Sequence, residues 1–169
     1  MLALNAEHKT YLIKELILGI FINGGISASL AWLNFHNHPM IYLWNGSQGI
    51  TQDLLPTIFM ITFMSTMAVT LTTRGRLAKS QVTPRALLAS EAWLAKFPRN
   101  VVLRSISFAL CFEVLLWPVT IGLLYLFNIH ALSFIDFFIF KIVFGVVLGL
   151  LATVPIVLCA LADKYHSQT

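Results

Sequence analysis

Glu113 and Lys141 are the residues most able to do chemistry in this chain, because each lies inside a long apolar run. A charge within a membrane span is costly, faces protein or water, and commonly marks the path of an ion or a substrate. Their depths disfavour a direct ion pair. At about 1.5 Å per helical residue, Glu113 lies about 13 Å above the start of its span, and Lys141 about 10 Å below the opposite boundary of a core about 30 Å thick. Helical side chains lean toward the N-terminus of their own helix, so these two also point away from each other.

Glu113 is expected to carry the function, because glutamate is too short to reach the membrane surface. Its carboxyl must be neutralised, bonded to a polar side chain, or placed at a cavity. Thr120 shares its helix face, and Asn23 of another span lies at a comparable depth. We expect these residues to form an intramembrane polar site that handles a proton or a cation. A bond from Glu113 to Asn23 that only fixes helix register is the alternative.

Lys141 belongs to the same set of intramembrane polar residues, but we expect it to behave differently. Its flexible stem is long enough to carry the ammonium group to the nearer membrane interface. It also begins a row of small residues, because Gly145 and Gly149 follow at intervals of four. Gly19 and Ser27 share a face of the first span in the same way. These four small residues predict a seam where helices pack closely.

Four membrane-spanning helices are the elements that position these residues. Of the 169 residues, 58% are hydrophobic and 11% are charged, whereas charged residues make up roughly a quarter of soluble domains. The apolar runs predict spans at about residues 16–35, 54–73, 101–127 and 134–161. The third and fourth are expected to form an antiparallel hairpin. The predicted fold is therefore an all-α membrane protein, an antiparallel four-transmembrane-helix bundle that forms one domain over residues 1–169.

The distribution of basic residues predicts the orientation of the chain. Seven of the eleven lysines and arginines lie between residues 74 and 104, and the other two connections hold none. By the positive-inside rule this loop and both termini are cytoplasmic, and the setting is a bacterial inner membrane. The net charge of +4 therefore reflects membrane topology, and nucleic-acid binding is not expected.

The basic loop is expected to contain one amphipathic helix at the cytoplasmic interface. Thr83 and Pro84 resemble an N-cap and a first helical residue, and residues 85–97 then mix apolar side chains with charges. Such a helix lies at the headgroup surface of a membrane. The cations expected to contact anionic lipid headgroups or a phosphate are Arg76, Arg85, Lys96 and Arg99.

Cofactor and redox chemistry have little support in the sequence. The two cysteines lie in apolar spans and match no disulfide-exchange or zinc spacing. The histidines of the two short loops, His36, His38 and His130, lack acidic or cysteine companions, so they are weak metal candidates. We predict no cofactor. Asn45-Gly46-Ser47 matches the glycosylation sequon.

Two function classes follow from these features. The first is a small transporter or permease subunit in which Glu113 handles a proton or a cation. The second is a non-catalytic interaction or assembly subunit that binds another membrane protein and anionic lipid, with a homo-oligomer as a further form of partner. An enzyme is less expected, because paired catalytic aspartates, thiol loops and haem ligands are missing from the spans.

Overall fold

Four long apolar helices make up most of the computed structural model, which describes residues 4–44 and 49–163. They are α1 (Ala6–Phe35), α2 (Ile50–Ala78), α3 (Val101–Leu126) and α4 (Phe134–Leu161). Each is long and apolar enough to cross a membrane, since a span needs about 20 residues. The prediction of an all-helical integral membrane protein with four apolar helices is confirmed. Both α1 and α2 begin earlier than predicted, and α2 extends beyond residue 73.

Polar cap residues define where three of these helices begin. The side chains of Asn5, Asn100 and Ser133 precede α1, α3 and α4, and each accepts a hydrogen bond from a backbone N–H of the first turn. These N–H groups have no partner inside the helix, so a side-chain acceptor there stabilises the helix start.

The starts of α1 and α3 lie together with the ends of α2 and α4, at what we call the basic end. Asp163, just after α4, accepts hydrogen bonds from Arg74 of α2 at 2.7 Å and from Arg104 of α3 at 2.9 and 2.6 Å. In the first turn of α1, the His8 ring lies 2.9 Å from the carbonyl oxygen of Thr83, which follows α2. Consecutive helices therefore run in opposite directions.

A short sheet joins the two connections at the opposite end, which we call the strand end. Strand β1 (Met40–Tyr42) pairs antiparallel with β2 (Ala131–Ser133), with Ile41 opposite Leu132. The sequence predicted no strand in either of these two short loops. Three-residue strands are too short for an alternating pattern to show, so only the tertiary structure reveals the pairing.

Helix α4 lies between two partners, because it packs extensively on α1 and on α2. Helix α2 also packs on α3, whereas α1 and α2 touch each other little. The predicted hairpin of α3 and α4 is therefore not the main pairing, since the extensive contacts of α3 are with α2. In the apolar stretch of α4, 50% of the residues are buried, compared with only 17% in that of α3. Helix α4 is therefore the more central helix.

The segment between α2 and α3 differs from the predicted amphipathic helix. It is without regular structure up to Leu88 and then forms a 3₁₀ helix over Ala89–Lys96. Thr83 does not cap a helix here, because its backbone N–H and its hydroxyl donate to the Glu7 carboxylate at 2.8 and 3.0 Å. This contact with α1 fixes Thr83 outside any helix.

Helices α1 and α4 approach closely along their small residues. A Cβ atom added to Gly145 would lie 2.8 Å from the Ser27 Cβ and 2.9 Å from the Asn23 carbonyl oxygen. One added to Gly149 would lie 3.2 Å from the Asn23 Cγ. The same addition at Gly19 meets Thr153 at an ordinary 3.4 Å. The tightest contact is therefore at Gly145 and Gly149, where any side chain would push the helices apart.

We expect Gly145→Ala to lower the stability of the protein, because overpacking of this kind costs about 1–3 kcal/mol. Gly122→Ala on α3 is the matched control, since its added Cβ meets nothing within 4 Å and alanine favours a helix by about 0.5–1 kcal/mol. Size-exclusion chromatography of heated, detergent-solubilised protein gives both melting temperatures. Equal melting temperatures for the two variants would contradict the close α1 to α4 contact.

The Asp163 carboxylate is the charge that joins three elements at the basic end. Its burial acts to raise its pKa, but hydrogen bonds and positive charge from Arg104 and Arg74 outweigh that effect and hold the pKa below its ordinary value. A carboxylate whose folded pKa is lowered contributes stability above its unfolded pKa. The contribution is lost as the pH falls through the folded pKa.

We therefore expect Asp163→Asn to destabilise the protein at pH 7 by about 2 kcal/mol, because charged hydrogen bonds are lost. The difference between wild type and variant should shrink as the pH falls from 7 to 3. Melting temperatures across that range measure it, with Asp136→Asn, at an exposed carboxylate, as control. A difference that is constant with pH would refute the role assigned to the Asp163 charge.

Candidate functional site: a buried ion pair beside a groove between α1 and α2

Lys141 is completely buried and forms an ion pair inside the protein. Its ammonium group donates to Asp53 Oδ2 at 2.5 Å and to Thr57 Oγ1 at 2.6 Å, and its side chain has 0% exposure. Thr57 in turn donates to the Asp53 carbonyl oxygen at 2.6 Å. The sequence predicts that Lys141 extends to the membrane interface. In the structure it stays inside the protein, because its partners on α2 lie within reach.

The local sequence of α2 explains this arrangement. Asp53 and Thr57 are four residues apart in the first turns of the helix, so their side chains share one face. Two acceptors on one face match the several donors of a single ammonium group. Outside water, a charge is tolerated when it is paired and hydrogen-bonded, and this site meets both conditions.

A groove of about 610 Å³ separates α1 from α2 beside this pair. Polar residues line it at three levels: Glu15 near the basic end, Asn23 and Ser65 in the middle, and Asp53 and Thr57 near the strand end. The groove exists because α1 and α2 both pack on α4 and hardly touch each other.

Most of the remaining groove wall is apolar, with Asn34, Thr72 and Thr153 as its other polar residues. The lining extends along α1 from Glu15 to Asn34, about 28 Å at the helical rise. This length is close to the thickness of the hydrocarbon core. The groove therefore suits an elongated apolar molecule. Apolar side chains that line it and are also exposed are Leu18, Ile22, Ile26, Met60 and Met64.

Asn23 is the polar group at the centre of the groove. It is 2% exposed, and its Oδ1 accepts a hydrogen bond from Ser65 Oγ at 3.2 Å, which connects α1 to α2. Its Nδ2 has no hydrogen-bond partner among the described residues. This nitrogen packs against α4, because a Cβ atom added to Gly149 would meet the Asn23 amide group, so it does not face the groove.

Glu113 lies apart from these residues, half-buried on α3. Within residues 4–44 and 49–163, no hydrogen bond or ion pair of its carboxylate is found. The predicted polar site is therefore divided: Asn23 is in the groove, Lys141 is beside it, and Glu113 and Thr120 are on α3 outside its lining. The alternative role of Glu113, a bond to Asn23, is not formed, because Asn23 Oδ1 accepts from Ser65.

The four cations expected to bind phosphate have different surroundings. Arg85 is 6% exposed and donates to both oxygens of Glu91 at 2.8 and 3.0 Å, so its guanidinium is already occupied. The hydrogen bonds from Arg85 are the main cause that lowers the pKa of the Glu91 carboxyl. Lys96 and Arg99 are exposed.

Arg76 lies at the basic end, outside the groove lining, and its ion-pair partner Glu15 lines the groove. Its guanidinium is 3.7 Å from the Glu15 carboxylate and 5.0 Å from the centre of the Tyr11 ring. Its side chain is 39% exposed, whereas that of Glu15 is 5% exposed. The cation is therefore held loosely beside a buried acid.

The other sequence candidates show no assembled site in the described part of the chain. No group of three or more histidine, cysteine or acidic side chains is placed to hold a metal ion there. The His36 ring lies 2.8 Å from the carbonyl oxygen of Trp32 in its own helix. Cys111 is exposed and Cys159 is buried, both as free thiols. The glycosylation sequon lies outside the described residues.

Asp53 and Thr57 are the residues that sequence reasoning missed. In the sequence, Asp53 has the position of an acid near a helix N-terminus, a role that needs no partner. A usable signal was present, since an aspartate and a threonine four apart complement a lone lysine elsewhere in the spans.

No protein-family model, curated protein or solved structure matches the chain.

Removing one partner of the buried pair should destabilise the protein more than removing both. We expect Lys141→Met alone to cost about 3–5 kcal/mol, because Asp53 is left as an unpaired buried charge. The double variant Lys141→Met with Asp53→Asn should recover more than half of that loss. Melting temperatures of the wild type, two single variants and the double variant form a thermodynamic cycle. Additive losses would show that the two residues act independently.

Proposed function

We propose that this protein is a small transporter or permease subunit that binds an elongated, apolar or amphiphilic molecule in the groove between α1 and α2. The observation that carries the proposal is the groove itself: about 610 Å³, apolar along most of its walls, with the hydrogen bond between Ser65 and Asn23 in its middle. Ligand sites are commonly apolar concavities with a few polar groups that fix orientation.

The ionisable element of this function is the Asp53 and Lys141 pair, which replaces Glu113 in our proposal. Asp53 lines the groove, while Lys141 approaches it from α4. A ligand that contacts Asp53 alters its ion pair with Lys141. Because this pair joins α2 to α4, binding in the groove is coupled to the packing of these two helices. Charged groups within spans commonly mark such pathways.

The proposal includes the membrane setting. An antiparallel four-helix bundle with the basic loop and both termini in the cytoplasm accords with seven basic residues in one connection. On this basis the basic end is cytoplasmic and the membrane is a bacterial inner membrane. Lys96 and Arg99 are exposed, and we propose that they contact anionic headgroups.

A second candidate is a subunit that binds another membrane protein through α3. This helix presents a broad apolar face, which includes Val114 at 73% exposure, and Glu113 lies beside that face. A half-buried carboxylate next to an exposed apolar surface would suit a partner helix with a polar side chain. Co-purification of a stoichiometric partner that Glu113→Leu abolishes would favour this candidate.

Filling the groove should abolish ligand binding. Ala68 lines it and is exposed, so Ala68→Trp places an indole ring inside. We expect a neutral diazirine-bearing monoacylglycerol to photolabel the wild-type groove saturably in nanodiscs, and unlabelled monoacylglycerol to compete. Labelling sites and yields are read by mass spectrometry.

Val119→Trp is the matched control, because Val119 is 56% exposed on α3 and outside the groove lining. It should leave saturable labelling unchanged, whereas Ala68→Trp should reduce it at least tenfold. Labelling of the groove that never saturates would mean that bulk lipid fills it without a specific site.

A further inference from the structure

We propose that a second cavity at the basic end, lined by Lys14 and Arg76, holds the phosphate headgroup of an amphiphile whose acyl chain lies in the groove between α1 and α2. This inference rests on the proposed function, because it names the class of molecule that the groove accepts. It follows from the continuity of the two cavities, from the unused donors of the two cations, and from the partners that the neighbouring acids already have.

The second cavity has a volume of about 400 Å³ and lies between the first turns of α1 and the end of α2. Most of its lining is polar or charged, whereas most of the groove lining is apolar. The cavity therefore suits a headgroup and the groove suits a chain. The polar residues that line the cavity are Glu7, Thr10, Tyr11, Lys14, Arg76 and Gln81.

The second cavity continues the groove along the same helix faces. Lys14 lines the cavity, and Leu18, four residues further along α1, lines the groove. On α2, Arg76 lines the cavity and Thr72 lines the groove. Residues four apart share a face of a helix, about 6 Å apart along its axis. One elongated molecule therefore has room to extend from the cavity into the groove, past the ion pair of Arg76 with Glu15.

The two cations of the cavity have donors to spare. Lys14 is exposed and forms no hydrogen bond or ion pair with the described residues. The Arg76 guanidinium lies 3.7 Å from the Glu15 carboxylate, which is beyond hydrogen-bond distance. An arginine fork and a lysine ammonium group are the side chains that most often bind phosphate oxygens. The pair therefore matches a phosphate group.

The acids that line the two cavities already have partners. Both oxygens of Glu7 accept hydrogen bonds from Thr83, at 2.8 and 3.0 Å. Glu7 also lies in the first turn of α1, where the helix N-terminus stabilises negative charge. Glu15 and Asp53 each form an ion pair. Lys14 is thus the lining charge without a partner in the described part of the chain, and an anionic headgroup supplies one.

Competition between two lipids with the same chain tests the inference. The diazirine-bearing monoacylglycerol labels the full chain in phosphatidylcholine nanodiscs, and unlabelled oleoyl lysophosphatidic acid or oleoyl monoacylglycerol competes. These competitors differ only in the phosphate. We expect the wild type to bind the phosphate-bearing lipid at least tenfold more tightly, because charged hydrogen bonds form to its headgroup. Lys14→Gln should reduce that preference to threefold or less and leave competition by monoacylglycerol unchanged.

Lys9→Gln is the matched control, because it removes the same charge from an exposed position of α1 outside both cavities. It should keep the tenfold preference, and so should Lys14→Arg, which shows that the loss in Lys14→Gln is not a folding defect. Equal losses in Lys9→Gln and Lys14→Gln would overturn the inference, since general surface charge would then explain the preference.

Glycerol 3-phosphate tests whether the chain is part of the ligand. It carries the phosphate without a chain, and we expect no competition from it. Competition as strong as that of lysophosphatidic acid would overturn the inference in favour of a free phosphate compound. If monoacylglycerol labelling saturates but the phosphate gives no preference, only the headgroup is wrong. If labelling never saturates, the proposed function fails and this inference fails with it.

Discussion

The hydrogen-bonded ion pair of Lys141 with Asp53 and Thr57 is the interaction on which the helix arrangement depends. An ammonium group with 0% exposure needs its partners on a neighbouring helix, and α2 supplies both from one face. The pair therefore fixes the rotation and height of α2 against α4. In a hydrocarbon environment, where apolar surfaces gain little from packing on each other, such polar contacts and close van der Waals fits select which helices pair.

On the other side of α4, a close van der Waals fit holds α1. Gly145 and Gly149 let α1 approach so closely that Asn23 and Ser27 contact the backbone of α4. With α2 fixed on one side and α1 on the other, the two helices have no extensive contact of their own. The groove is thus a consequence of the central position of α4, and Asn23 and Ser65 connect its walls at one level.

Charge is distributed unevenly along this groove. Near the strand end the acid is neutralised by a buried lysine, while near the basic end Glu15 has only a half-exposed arginine at 3.7 Å. The acid with the more distant partner, Glu15, is therefore near the basic end, where the positive-inside pattern predicts the cytoplasm. Glu113 does not line the groove, because it lies on α3, which packs on α2.

The sequence by itself determined the membrane class, the four apolar helices and the unusual status of Asn23, Glu113 and Lys141, because hydropathy and charge are local properties that bilayer thickness converts into spans. It also indicated the small residues of α1 and α4 by their spacing. Only the tertiary structure decided which polar groups meet. Counting depth along each span cannot show that α4 packs on α2, so it does not reveal the pair of Lys141 with Asp53, and a comparable depth of Glu113 and Asn23 does not bring their helices together. Helix pairing depends on the summed fit of whole faces, and no single residue pattern contains that sum.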